Sequence, residues 1–267
     1  MKIANKVFVV TGGGNGIGRE VVLGLIARGG RVAAVDLSDT GLAGTAQLAT
    51  AEQGRLTTHV LNITDRAAVE RLPGEVAAEH GQVDGVINVA GIVQRFARVQ
   101  DLSFDEIERV MAVNFWGVVN MSKAFLPVLR ERPQASLVNV SSMGALVPVP
   151  GQSAYGASKA AVKLLTEGLY AELRGTSVAV TVVFPGGIAT NILGNSGVSL
   201  PSRVTDTSGS KQTSAAEAGK QIIEAVEKGS YRVRIGGDAL LLDRLSRLMP
   251  KRATALVANK MKSLLNF

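Results

Sequence analysis

The chain has 267 residues, 46% of them apolar and 30 of them glycine, which suits one large α/β domain with a filled core. Cysteine is absent and His59 and His80 are the two histidines, so disulfides, thiolate metal sites and histidine-based metal sites are not expected. The net charge of +7 is local: Lys228 to Lys262 carries nine Lys/Arg against two Asp, while the rest of the chain is balanced, which argues against a protein-wide nucleic-acid surface.

The opening MKIANKVFVV is too short an apolar run for a signal peptide. The long uncharged stretch from Pro133 to Ser158 is broken by Pro, Gly, Ser and Asn. No transmembrane span is read from either, and the expectation is a soluble, cytoplasmic protein.

Lys6 to Thr11 (KVFVVT) reads as a buried strand and runs into Gly12-Gly-Gly-Asn-Gly16-Ile-Gly18. Helical periodicity follows, with Val21, Val22, Leu25 and Ile26 on one face and Gly29-Gly30 as the stop. Strand, glycine turn and helix in that order let a backbone approach a pyrophosphate seated on the helix N-terminus. The next strand, RVAAVDL, ends in Asp36, eighteen residues after Gly18. An acidic side chain there accepts hydrogen bonds from the adenosine ribose and repels a 2′-phosphate, which selects NAD over NADP.

A helix is expected from Ser38 and a strand over 55–63. Thr64 is read as the cap of a following helix that Pro73-Gly74 interrupts. Val83 to Val89 is the next strand and ends in Asn88-Val-Ala-Gly91. Ser103-Phe-Asp-Glu106 has the pattern of a capping box opening a long helix through Arg130, with Asn114, a poor helix former, in its middle. Ala135 to Val140 is a strand ending in Ser141-Ser142. The helix bearing Tyr155-Gly-Ala-Ser-Lys159 runs to about Arg174, and Val178 to Phe184 is a strand ending in Pro185-Gly186. Six strands alternating with helices imply a doubly wound parallel sheet, Rossmann-like, with helices on both faces and no linker to divide it. Gly12, Asp36, Asn62, Asn88, Ser142 and Pro185 all fall at the carboxyl ends of strands, where such sheets bind ligands.

Tyr155 and Lys159 are four apart and share a helical face. An ammonium beside a phenol favours the phenolate, which makes Tyr155 a candidate acid/base near neutral pH. With TGGGNGIG, Asp36, NVAG, Asn114, Ser142, YGASK and PGGIAT in order over residues 5–192, and a further strand near 231–236, the chain resembles the single-domain, NAD-preferring short-chain dehydrogenase/reductases.

The resemblance implies that Tyr155 exchanges a proton with the substrate oxygen and that Ser142 holds that oxygen. Lys159 binds the nicotinamide ribose and lowers the Tyr155 pKa, and Asn114 anchors a proton-relay water. It implies NAD contacts from Gly12, Asn15, Gly16, Ile17, Gly18, Asp36, Asn62, Ile63, Asn88, Ala90, Gly91, Tyr155, Lys159, Pro185, Gly186 and Ile188, with Thr190 near the carboxamide or pyrophosphate. Two positions depart from the family pattern. Asn62 stands where Asp is usual, with its side-chain oxygen still able to accept from the adenine amino group, and Val89 replaces the second Asn of NNAG. His59 and His80 match nothing catalytic and are expected at solvent or edge positions.

Asn191 to Thr213 is small and polar, and by resemblance forms a mobile substrate lid. Ser214-Ala-Ala-Glu217 caps another helix, which ends at Lys228-Gly229 before the strand YRVRIGG. Residues 237–267 form a basic amphipathic helical extension of the same domain, with Leu241, Leu245, Leu248 and Met249 on one face. Beyond Pro250, Leu256 or Val257, Met261, Leu264 and Leu265 make a second. This pair either closes the substrate pocket, packs on another subunit, or lies on an anionic membrane; the first two are favoured. The expected function is NAD(H)-dependent interconversion of a hydrophobic secondary alcohol and a ketone, in a homodimer or homotetramer. Epimerisation or dehydration on the same scaffold, or a nucleotide-sensing or membrane-recruited binding module, are the competing readings.

Overall fold

Val7 to Thr11 are all buried, as a strand covered on both faces requires, and form β1 (Val7–Thr11) at the centre of the fold. The computed structural model describes residues 1–49, 54–198 and 212–261. After β1 come α1 (Gly16–Ala27), β2 (Arg31–Asp36), α2 (Asp39–Leu48), β3 (Leu56–Val60), α3 (Arg66–His80) and β4 (Gly85–Asn88). The chain continues through α4 (Phe104–Met111), α5 (Gly117–Arg130), β5 (Ala135–Val140), α6 (Ser153–Glu172) and β6 (Val178–Pro185). Then follow β7 (Ile188–Ala189), α7 (Ile192–Asn195), β8 (Thr213–Ser214), α8 (Ala215–Lys228), β9 (Arg232–Ile235), α9 (Gly237–Leu248) and α10 (Pro250–Lys260).

Seven strands make one parallel sheet in the order β3-β2-β1-β4-β5-β6-β9, and β7 pairs with β8 apart from it. Thr11 is level with Val35 on one side and Asn88 on the other. The alternation of β1 splits the core: Phe8 and Val10 join Val21, Leu25 and Ile222 on one face of the sheet. Val7 and Val9 join Leu72, Phe125 and Leu137 on the other. Strand order turns back between β1 and β4, so a crevice opens at their carboxyl ends. This is the single doubly wound α/β domain that the sequence pattern predicts.

Three local expectations fail. Pro73 does not interrupt α3, which runs unbroken from Arg66 to His80 with Pro73 buried beside Val69, Leu72 and Val76. A mid-helix proline costs about 3 kcal/mol, and burying that apolar stripe against α5 outweighs it. Thr64 is not the cap of α3: Asp65 accepts from the Ala68 N–H at 3.1 Å, while Thr64 folds onto Asn62.

His80 is not at a solvent position either, being 3% exposed at the end of α3. Its Nε2 meets Thr57 Oγ1 at 2.9 Å, and the same hydroxyl meets His59 Nε2 at 3.0 Å on the edge strand. Burial, and then the charge of Arg31, push the His80 imidazole below its ordinary pKa, with Glu79 opposing. Its neutral form therefore contributes stability that is complete above the unfolded value of about 6.5 and is lost as pH falls below it. Urea melts at pH 7.5 and 5.5 are expected to show a larger acid loss in the wild type than in His80→Phe. Equal losses would contradict the assignment.

The C-terminal helices are fastened by charge as well as by apolar contact. Asp243 on α9 is 2% exposed and receives Arg232 at 2.8 Å, Arg234 at 3.1 Å and Arg247 at 3.0 Å. Burial alone would raise its pKa, but the bonds and charges of these arginines hold the carboxyl below the usual range. Arg232 also reaches Glu167 on α6 at 3.0 Å and stacks 4.3 Å from the Phe184 ring centroid. Ala253 and Val257 of α10 pack on Val147, with Leu242, Leu245 and Met261 around them. Leu264, Leu265 and residues 199–211 of the expected lid lie outside the described residues.

Candidate active site

The crevice between β1 and β4 is a cleft of about 430 Å³. Gly12, with φ of +72°, sits so close to the next strand end that a Cβ would lie 2.9 Å from the Ala90 nitrogen. A Cβ on Gly18 would lie 2.0 Å from the Gly12 carbonyl oxygen. Bare backbone is thus required where the turn feeds α1, whose first turn carries no acidic residue to compete with a bound anion. A glycine cradle at a helix N-terminus fits the diphosphate of a dinucleotide.

Of the residues expected at the cofactor, Gly12, Asn15, Gly16, Ile17, Gly18, Asp36, Asn62, Ile63, Ala90, Gly91 and Thr190 line the cleft. Asp36 is held by two backbone donors: Gly14 N–H to Oδ2 at 2.9 Å and Ser38 N–H to Oδ1 at 3.0 Å. The neighbouring cation, Arg19, is spent on the turn itself, donating to the Gly14 carbonyl and to Thr45 Oγ1 at 3.1 Å. Asn62 lies in an Asx turn, its Oδ1 already accepting from the Thr64 N–H at 3.0 Å and hydroxyl at 2.9 Å. Acceptance from an adenine amino group would therefore compete with two existing bonds.

Asn88, Tyr155, Lys159, Pro185, Gly186 and Ile188 are not in the lining. Asn88 is buried and donates to Asn139 Oδ1 at 2.8 Å; Asn139 in turn donates to Thr166 on α6 at 3.0 Å. The pair ties β4 to β5 and to the helix of Tyr155.

Beyond Gly91 the proton-handling residues gather. The long helix expected from Ser103 to Arg130 starts with its capping box, Ser103 and Glu106 bonding each other's backbone, but does not run on as one α-helix. It passes through a π turn over Ala112–Trp116, between α4 and α5, with Asn114 inside it. Asn114 is fully buried, and its amide clamps the strand end: Oδ1 accepts from Ile92 N–H at 2.9 Å, and Nδ2 donates to Ile92 O and Ser158 Oγ, each at 2.9 Å. Ser158 passes the link on by donating to the Tyr155 carbonyl at 2.7 Å. Both amide atoms are engaged in this way, and Oδ1, which accepts a single bond, keeps one lone pair for the relay water expected of it.

Ser142 and Tyr155 lie side by side at Gly144, where a Cβ would be 3.5 Å from Ser142 Oγ and 3.6 Å from the Tyr155 ring. Ser142 Oγ accepts from Gly144 N–H at 3.0 Å, which leaves its hydroxyl hydrogen free to donate. Ser141 is turned away, its hydroxyl donating to the Lys159 carbonyl at 2.7 Å. Lys159 Nζ, 3% exposed, donates to Val140 O at 3.0 Å, and a Cβ on Gly91 would lie 3.1 Å from it.

Burial raises the Tyr155 pKa above the ordinary phenol value, and the neighbouring Ser142 hydroxyl only partly opposes it. Burial also lowers Lys159 to about 8. The expected depression of Tyr155 by Lys159 is thus absent: the ammonium faces a backbone carbonyl rather than setting the phenol's pKa.

Residues 6–199 match the family model described as short chain dehydrogenase. SadH of Mycobacterium tuberculosis, whose designation as an oxidoreductase is itself provisional, is 38% identical over 95% of this chain and 94% of its own. The chain belongs to the short-chain dehydrogenase/reductase family. It is accordingly an oxidoreductase that uses a nicotinamide cofactor. A short-chain dehydrogenase/reductase from Burkholderia phymatum, crystallised with NAD, superposes with a TM-score of 0.84 at 24% identity over 92% of this chain and 94% of its own. Another, from Burkholderia cenocepacia J2315, crystallised with NADP, gives 0.79 at 27% identity over 96% and 99%.

Within this family framework the site contains residues that sequence reading did not single out. Gln94, 3% exposed, accepts from the Tyr155 backbone N–H at 3.0 Å and donates to Gly151 O at 2.9 Å, so it seats the first turn of α6. Gln152 braces it by donating to Gln94 O at 2.9 Å. A glutamine three residues beyond Gly91 carries no local pattern that would have marked it. Arg109, Ile192 and Asn195 also line the cleft, and Asn195 donates to Asn15 Oδ1 at 2.9 Å, bridging α7 to the glycine turn. Ser196 accepts from Val93 N–H at 3.0 Å, so the described start of the lid is tethered to both sides of the cleft.

Proposed function

We propose that the protein is an NAD(H)-dependent oxidoreductase that interconverts a secondary alcohol and a ketone, on a bulky hydrophobic substrate. The observation that carries this reading is the adjacent Tyr155–Ser142 pair at Gly144, with the Lys159 ammonium buried one helical turn away and hemmed in beside Gly91. In ketone reduction Tyr155 Oη gives its proton to the carbonyl oxygen, while the free hydroxyl hydrogen of Ser142 donates to the same oxygen and stabilises its developing charge. In alcohol oxidation the proton travels back to Tyr155. The bound nicotinamide supplies or accepts the hydride. Lys159, buried beside Gly91, would hold the nicotinamide ribose. Asn114 and Gln94 keep α6 in place while this happens.

Selection of NAD rests on Asp36. A carboxylate pinned by two backbone donors cannot swing aside, and two charges about 4 Å apart near a protein surface repel by roughly 4 kcal/mol. NADH, titrated by its fluorescence, is expected to bind at least about tenfold more tightly than NADPH, and equal affinities would contradict the assignment. A bulky apolar substrate is inferred from the apolar residues that follow Ser142, of which Leu146 and Val149 are only partly buried.

A homo-oligomer is supported by the exposed Phe104, Trp116 and Leu164 on α4, the π turn and α6. The cysteine-free composition fits a cytoplasmic setting.

A further inference from the structure

The C-terminal helices have two apolar faces where the sequence pattern suggests one each. The inward face of Leu242, Leu245, Ala253 and Val257 is used up on the segment after Ser142. A second set points outward: Leu241 is 62% exposed, Leu248 80%, Met249 38% and Leu256 50%. On α9 the outward arc is Leu241, Arg244 and Leu248, spaced i, i+3 and i+7. It meets Met249 and the start of α10 at the corner between the helices, where Lys251 and Arg252 are also exposed.

The charge on these helices is predominantly positive. Residues 237–261 hold Arg244, Arg247, Lys251, Arg252 and Lys260 against Asp238 and Asp243. Asp243 is buried and already shared by Arg232, Arg234 and Arg247. Arg244, Lys251 and Lys260 make no ion pair among the described residues. A twofold contact between two copies would oppose like charge to like charge across leucines, since an isologous interface brings the same patch to itself. Exposed leucines interleaved with uncompensated cations instead complement a surface that is anionic at its headgroups and apolar just beneath.

We propose that the outward face of α9 and α10 docks the folded protein on an anionic lipid bilayer, with Leu241 and Leu248 inserted at the headgroup level and Arg244, Lys251 and Arg252 on lipid phosphates. The helices stay folded on the domain, because the inward face and the Asp243 cluster hold them there.

The test is co-sedimentation of the full chain with vesicles of phosphatidylcholine alone and of phosphatidylcholine with 30% phosphatidylglycerol. Pelleting is expected with the anionic vesicles only, and it should fall as salt is raised. Arg244→Glu/Lys251→Glu should weaken partitioning by more than about fivefold per charge, and Leu241→Ser/Leu248→Ser by at least about tenfold. Both pairs are exposed, and unchanged circular dichroism and melting temperature confirm their folding. Three results would overturn the proposal: no pelleting with anionic vesicles, pelleting indifferent to both variants, or retention on an acidic polypeptide such as polyglutamate without any vesicle binding. A dimer that dissociates in Leu241→Ser/Leu248→Ser, with no vesicle binding by the wild type, would assign the face to a second copy instead.

Discussion

Tyr155→Phe is expected to lower kcat by about 10²- to 10⁴-fold in both directions while leaving the NADH dissociation constant nearly unchanged. Only a hydroxyl is removed, and the backbone N–H of Tyr155 keeps its bond to Gln94 at 3.0 Å, so α6 stays seated. The pH dependence should distinguish a chemical role from a packing one. Burial holds the phenol protonated, which suits proton donation in ketone reduction. Alcohol oxidation needs the phenolate, so its rate in the wild type should climb with pH, while reduction should decline at the alkaline end. Residual activity in Tyr155→Phe should show neither trend. Retained turnover with wild-type pH profiles would remove Tyr155 from the mechanism.

Asn114→Ala should cost about 3 kcal/mol or more, because it strands the Ile92 N–H and carbonyl inside the protein and removes the donor to Ser158 Oγ. For a chain of this size that corresponds to a melting temperature lower by about 6–12 °C. Turnover should fall as well at temperatures where the variant is still folded, since Ser158 links Asn114 to the Tyr155 carbonyl. Scanning calorimetry together with kcat at 15 °C separates the two effects. An unchanged melting temperature would mean that the clamp contributes nothing.

Much of this arrangement is legible in the residues themselves. Continuous apolar runs and glycine turns place the strands, and the capping patterns at Ser103 and Ser214 place two helix starts to the residue. What escapes is what depends on tertiary context. Pro73 looks like a break because its local cost is visible, whereas the buried stripe that outweighs it is shared with a helix some fifty residues away. The π turn at Asn114 is a backbone irregularity without a residue signature of its own, although a buried asparagine in mid-helix hints at it. Gln94 and Arg109 gain their positions only when β4 and α4 come together at the cleft. The electrostatics of Lys159 were also beyond reach, since spacing on a helix says that Tyr155 is near but not that Val140 O takes the ammonium. The two-faced character of α9 likewise depends on knowing which leucines the loop after Ser142 covers.

Hydride exchange between NAD(H) and an apolar alcohol or ketone can be followed by NADH absorbance with ketones of increasing bulk and the corresponding secondary alcohols, with NAD(H) and NADP(H) in parallel. Reversible turnover is expected, with kcat/KM rising with apolar bulk and at least about tenfold higher with NAD(H). Turnover confined to NADP(H), or no hydride transfer with any member of the series despite tight NADH binding, would contradict it.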